Sequence, residues 1–294
     1  MNTADMEKYR EYVRSLMPKR YADSHKGAYG KALLICGSDK YRGAALLACE
    51  GCIRCGAGIT ALASEGGVRD IVLKTFPEVI CTDIVRLYSS CRNDSIAEHI
   101  GGYSAYLVGC GCGISDSLKE LLYEILHLPG PPIVIDADGI NSLAMNRDYS
   151  LSVLSSSKRE VLITPHPLEF SRISGFEMQM INNDREGCAR TFAEKYSINV
   201  LLKGHNSVIC SPKGKTAINP SGSSALSKGG SGDVLAGAVT SFIAQGADVF
   251  DAAVVSAYLH GMAGESLAKE FSEYGVLASE LPKQMAREIC TLLR

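Results

Sequence analysis

The chain has 294 residues, 46% of them hydrophobic and 21% charged, with a formal net charge of −2. That length suits one large α/β domain or two modest ones, and the composition excludes general disorder and fibrous repeats. A near-neutral chain with no basic stripe interleaved with aromatics carries no electrostatic footprint for nucleic acid.

The N-terminal stretch MNTADMEKYREYVRSLMPKR is charged and amphipathic and lacks the apolar core of a signal peptide. The longest apolar candidate, Ala252 to Ala263, is interrupted by Ser256, His260 and Gly261, short of the ~20 apolar residues that a membrane helix needs. A cytoplasmic protein without membrane contact is the expectation. Eleven cysteines are spread through apolar segments instead of framing a small loop-rich chain, which predicts reduced thiols packed as small hydrophobes.

After a helix from Ala4 to Leu16, the run Lys31 to Cys36 reads as a buried strand ending in Gly37-Ser38, followed by a helix from Gly43 to Cys55 and a strand from Ile59 to Ala63. The pattern recurs as strand Ala105 to Val108, helix Asp116 to Leu126 and strand Ile133 to Ile135. It recurs again as strand Val161 to Ile163, helix Asp184 to Tyr196 and strand Val200 to Leu202. Strands alternating with helices predict a mostly parallel sheet covered on both faces. Ser207 to Cys210 and Thr216 to Asn219 flank Ser211-Pro212-Lys213-Gly214, a hairpin signal. Helices are then expected over Asp233 to Ala244, Asp251 to Ala268 and Ala278 to Leu292, and no linker or internal repeat interrupts the chain.

The strongest chemical signal is Gly229-Gly230-Ser231-Gly232-Asp233 at the start of an apolar helix. Glycines let successive backbone N–H groups converge, and a helix start adds unpaired donors and a positive dipole end, so an anion fits there. The alternative is that Asp233 caps the helix and the glycines make a tight turn. Other candidates stand at the ends of expected strands, where an open parallel sheet carries its ligand crevice. His166 and Glu169 lie in Thr164-Pro165-His166-Pro167-Leu168-Glu169-Phe170, where two prolines fix the loop. Lys203-Gly204 offers a point charge beside a residue permitting close backbone approach, although a solvated lysine in a surface turn is the plainer reading. Asp136 and Asp138 put two acids at another strand end, either holding Mg²⁺ through water or, for one of them, capping a helix. Cys49, Cys52 and Cys55 mimic the start of an iron–sulfur motif but lie in a helical pattern with no fourth Cys-Pro, so they read as packing residues. Gly109-Cys110-Gly111-Cys112-Gly113 falls short of a dinucleotide fingerprint because its third glycine position is Ile114.

In chain order the segments SHKGAYGKALLICGS, RGAALLA, FPEV (76–79), VGCGCG, VIDADGIN, ITPHPLEF, VLLKGHNSVI and NPSGSSALSKGGSGDVLAGAV together resemble the ADP- or ATP-dependent NAD(P)H-hydrate dehydratases of the ribokinase-like superfamily. The resemblance covers nearly the whole chain and implies one three-layer α/β/α domain over residues 1–294. It implies dehydration of the S-epimer of hydrated NADH or NADPH (NADHX, NADPHX) with ADP consumed to AMP and phosphate, or ATP as the donor in its place, Mg²⁺ accompanying the nucleotide. Carried over by position, Ala44, Gly111, His166 and Asp233 would contact the hydrated dinucleotide, with Asp233 as catalytic base. Lys203, Gly204, His205, Asn206, Ser207 and Gly232 would contact the adenine nucleotide, and Gly230, Ser231 and Gly232 would form the anion hole. Asp136 or Glu169 are outer partners for the metal, whose direct ligands stay open. The family pattern also implies a homotetramer and a separate NAD(P)H-hydrate epimerase. Two departures stand out: Cys110 and Cys112 replace the family's Pro and Leu around Gly111, and GSGD replaces GTGD. A small-molecule kinase acting on a hydroxylated vitamin precursor or sugar, and a non-catalytic nucleotide-binding regulator, fit the same turn.

Overall fold

The computed structural model describes residues 3–90 and 96–294. Nine strands form one sheet: β1 (Lys31–Ile35), β2 (Ile59–Ser64), β3 (Ile80–Asp83), β4 (Ala105–Val108), β5 (Ile133–Ile135), β6 (Val161–Ile163), β7 (Asn199–Leu202), β8 (Val208–Cys210) and β9 (Thr216–Ile218), in the spatial order β3-β2-β1-β4-β5-β6-β7-β8-β9. Pairing is parallel from β3 through β7, and β8 is antiparallel to both of its neighbours. The mostly parallel sheet and the terminal hairpin expected from the sequence are both present.

Alternation along each strand feeds two cores. Ala32 and Leu34 of β1 point into one, and Leu33 and Ile35 into the other. Both faces are therefore covered, which is why the central strands read as unbroken apolar runs. One face carries the helices Arg42–Arg54, Ser231–Ala244, Val249–Gly275 and Leu281–Leu293. The other carries Asp116–His127, Arg185–Tyr196 and shorter helices between them. The helices Arg42–Arg54 and Ser231–Ala244 cross at unusually close range: a Cβ on Gly237 would stand 2.1 Å from the Ala48 carbonyl oxygen, and one on Gly51 2.5 Å from that of Val234. Cys49 and Cys52 are buried in this helix layer, and Cys55 is buried just past its end, so the C-x₂-C-x₂-C run is packing. All ten cysteines among the described residues are free thiols.

Several elements lie outside the sequence expectations. β3 is an edge strand whose first residue, Ile80, is 56% exposed, so it lacks the apolar run that marks the central strands. The long helix begins at Val249 because Asp248 accepts hydrogen bonds from the N–H groups of Phe250 and Asp251, two residues before the expected start. It continues to Gly275 through a non-helical Ser272 (φ 63°, ψ 165°). Among the described residues no helix is long and apolar enough to cross a membrane.

Candidate active site

The chain runs β1, β2, β3 to one side and then returns to place β4 on the other side of β1, so the order reverses between β1 and β4. Open α/β sheets take ligands at such a switch point, beyond the carboxyl ends of the strands. Here the loops after β1, β4, β5, β6 and β7 continue the ladder past the strands. Gly37 N–H donates to Cys110 O (2.7 Å), Asp136 N–H to Val108 O (3.1 Å), Thr164 N–H to Ile135 O (3.1 Å) and Lys203 N–H to Pro165 O (2.8 Å). This lacing fixes five loops that would otherwise be independent.

Asp136 is the hub. Its side chain is buried, and Oδ1 accepts from Lys203 Nζ and from Thr164 Oγ1, both at 2.7 Å, while Cys110 Sγ lies 3.5 Å from Oδ2. Burial alone would lower the Lys203 pKa, but the carboxylates of Asp136 and Glu169 together hold it above its ordinary value. Lys203 is thus a fixed cation in the site, and the solvated-lysine reading fails. Asp138 is not a helix cap either. The N-cap of the helix Asp138–Ala144 is Ala137, held at φ 47° with no side-chain cap bond, and Asp138 Oδ2 accepts from Gly113 N–H at 2.8 Å. The cost of an alanine at positive φ, roughly 1–3 kcal/mol, is borne where the chain sends the acids on either side of it in different directions.

The Gly-rich turn ends with Gly230 as N-cap of the helix Ser231–Ala244, left-handed at φ 93° and with no side-chain cap bond. Asp233 therefore does not cap. Among the described residues the N–H groups of Gly232 and Asp233 find no acceptor, which leaves unpaired donors at a positive dipole end. The Asp233 carboxyl is pushed up from 3.8 to about 7, first by burial and then by the like charge of Asp136, against the partial relief supplied by Lys203. One ligand atom from each of Asp233, Asp136 and Cys110 falls within 4.8 Å of the others.

Two features flank the Cys110–Asp136–Asp233 group along the chain, through Gly232 and through Gly111. On one side is a cleft of about 530 Å³ lined by Lys203, Gly204, His205, Asn206, Ser207 and Gly232, all six residues expected at the nucleotide. On the other, Gly111 (φ 63°) packs so closely on Ala44 that a Cβ there would stand 2.6 Å from the Ala44 methyl, and Ser38 Oγ donates to the Gly111 carbonyl at 2.8 Å. Cys110, next to Gly111, joins this side to Asp136 and Asp233.

His166 is the N-cap of the helix Pro167–Ser174. Its Nδ1 accepts from the Leu168 and Glu169 N–H groups, and Glu169 Oε2 accepts from His166 N–H at 2.9 Å. Burial and the nearby Lys203 charge lower the His166 pKa, so the ring is neutral near pH 7 and half-exposed. Burial raises Glu169. Glu169 is committed to its reciprocal cap, whereas Asp136 groups with Asp233 and Cys110, its Oδ2 accepting from Cys110 Sγ at 3.5 Å.

A family model described as NAD(P)H-hydrate dehydratase matches residues 32–287. The chain belongs to this family. It is 33% identical over 279 residues to the ADP-dependent (S)-NAD(P)H-hydrate dehydratase of Bacillus subtilis, covering 94% of this chain and 95% of that protein. It is 32% identical over 274 residues to the bifunctional NAD(P)H-hydrate repair enzyme of Moorella thermoacetica, covering 92% of this chain and 51% of that enzyme. The chain thus spans about half the length of its bifunctional relatives. The crystal structure of the B. subtilis ADP/ATP-dependent dehydratase, co-crystallized with ATP and Mg²⁺, superposes with a TM-score of 0.84 at 30% identity, covering 96% of this chain and 97% of that one. A ribokinase-like superfamily protein of Enterococcus faecalis, at 24% identity and a TM-score of 0.81, shares the fold.

Proposed function

We propose that this chain dehydrates the S-epimer of hydrated NADH and NADPH, using ADP as phosphoryl donor and giving AMP and phosphate. The observation that carries the reading is the Asp233 carboxyl, pushed up to about 7, which follows the cleft-lining Gly232 in the chain and groups with Asp136 and with Cys110, the neighbour of Gly111. Family membership and the ADP-dependent relatives support the choice of reactants.

In this reading Lys203, Gly204, His205, Asn206, Ser207 and Gly232 hold the adenine nucleotide, and Ala44, Gly111, His166 and Asp233 hold the hydrated ring. Asp233 accepts the proton of the ring hydroxyl as its oxygen bonds to the terminal phosphorus of the donor and the bridging P–O bond breaks, releasing AMP. Phosphate then leaves from the ring carbon with the C–O electron pair, the ring nitrogen lone pair assists, and loss of the adjacent proton restores the dihydronicotinamide. Unpaired N–H groups of the Gly230–Asp233 turn and the Lys203 ammonium stabilise charge on the transferring group without reorganisation. Mg²⁺ would neutralise the phosphate oxygens, and Asp136, grouped with Asp233 at the foot of the turn, is the residue placed to hold it by way of water. In the same reading the protein acts in the cytoplasm as a homotetramer, together with an NAD(P)H-hydrate epimerase activity.

The test is incubation of the S-hydrate with ADP or ATP and analysis of products. Recovery of NADH absorbance with release of inorganic phosphate supports repair. A stable phosphorylated product would instead establish a kinase, and nucleotide binding without turnover a regulator.

A further inference from the structure

Behind the segment Lys203 to Ser207 stands a cation that the chemistry above does not use. Arg185 opens the helix Arg185–Tyr196, next to the N-cap Asp184, and is not among the residues that line the cleft. Its guanidinium instead reaches the chain at the end of β7. Nη1 donates to the His205 carbonyl at 2.5 Å, and Nη2 donates to the carbonyls of Leu202 and Lys203, both at 3.0 Å. The side chain is half-buried, its Nε is buried without a hydrogen-bond partner, and among the described residues it takes part in no ion pair. A cation in the first turn of a helix faces the positive end of the dipole, so it is held there at a cost that no neighbouring acid offsets. The three carbonyls of one short segment are its partners.

Holding a carbonyl also aims the next N–H. In a planar trans peptide the C=O of one residue and the N–H of the following one point in opposite directions. The Leu202 carbonyl pairs in this way with the Lys203 N–H, which is already given to Pro165. The Lys203 and His205 carbonyls pair with the N–H groups of Gly204 and Asn206, which are thereby turned away from the guanidinium. Both residues line the cleft, and among the described residues neither N–H has an acceptor. Only glycine fits at 204, since a Cβ there would stand 2.8 Å from Arg185 Nη2 on a backbone at φ 146°. We propose that Arg185 is a positioning residue for the nucleotide: by gripping the Lys203 and His205 carbonyls from behind, it presents the Gly204 and Asn206 N–H groups to phosphate oxygens in the cleft. This rests on the assignment of the cleft to an adenine nucleotide. Without the planar fork the two donors lose their fixed aim, which weakens nucleotide binding by roughly tenfold or more.

The experiment combines calorimetric binding of Mg²⁺-ADP to the intact protein without hydrate and steady-state kinetics with both substrates. Arg185→Met is expected to bind ADP about tenfold more weakly and to raise KM for ADP to match, with kcat and KM for the hydrate within about twofold of wild type. Arg185→Lys keeps the charge but not the fork, so it should stay about fivefold or more below wild-type affinity, and it decides the matter if the methionine variant does not fold. A merely structural role would lower the folded fraction, and with it the apparent kcat, and leave KM for ADP unchanged. That pattern, unchanged ADP affinity in a folded Arg185→Met protein, or wild-type affinity in Arg185→Lys overturns the inference while leaving the nucleotide assignment intact. Absence of ADP binding to the wild type overturns both.

Discussion

Replacing Asp233 by Asn should abolish turnover and at the same time stabilise the protein, by an amount that depends on pH. The carboxyl rises from 3.8 to about 7 on folding. At ~1.36 kcal/mol per decade of proton affinity, the folded state gives up at most roughly 4 kcal/mol by holding this group ionised above pH 7. The sign follows from the raised value. Folded protein keeps a proton that the unfolded chain has already released, so wild-type stability falls as pH climbs from about 4 and levels off above about 7. Asparagine does not titrate and escapes this loss. Roughly half of the difference accumulates between about pH 5.5 and 7, equivalent to about 4 °C in Tm for a chain of this size. The assay is thermal unfolding of both proteins across that range, with ADP binding checked to show an intact cleft. A Tm advantage that does not grow with pH would refute the assignment of a buried, proton-holding carboxyl.

The same ionisation predicts a rate that rises as pH passes up through about 7, since Asp233 acts as a base only when deprotonated; a flat profile of kcat/KM over that range would contradict it. Lys203→Met removes the ammonium from Oδ1 of the buried Asp136 and should cost ~3–5 kcal/mol in denaturant unfolding, most of it recovered by adding Asp136→Asn. Gly111→Ala puts a Cβ at φ 63° and 2.6 Å from the Ala44 methyl, so it should raise KM for the hydrate by tenfold or more while ADP affinity measured alone changes little.

How far the sequence carried the architecture depended on burial. β4, β5 and β6 match their expected bounds because strands buried on both faces are continuous apolar runs with sharp ends. β3 and the short helices Met178–Asn183 and Ile96–Ile100 escaped, since half-exposed or very short elements carry little periodicity. The residues of the site were legible as motifs, but their electrostatics were not. Lys203 reads as solvated until β7 is set two strands from β5 and its ammonium meets Asp136, a contact between residues 67 positions apart. Asp138 and Asp233 look like caps because acids at helix starts usually are. Ala137 and Gly230 hold those N-cap positions instead, freeing both carboxyls for other partners. Arg185 gave no signal at all, since an arginine at the start of a helix looks like a solvated residue until the carbonyls of Leu202, Lys203 and His205 are seen around it.

The central claim is that phosphorylation of the ring hydroxyl enables its loss, and the fate of that oxygen decides it. S-hydrate prepared with oxygen-18 in the ring hydroxyl, turned over with ADP in unlabelled water, should deliver the label into the inorganic phosphate, one labelled phosphate per dihydronicotinamide restored. Label appearing in water, with phosphate unlabelled, would mean that the hydroxyl leaves without ever being phosphorylated and would contradict the account.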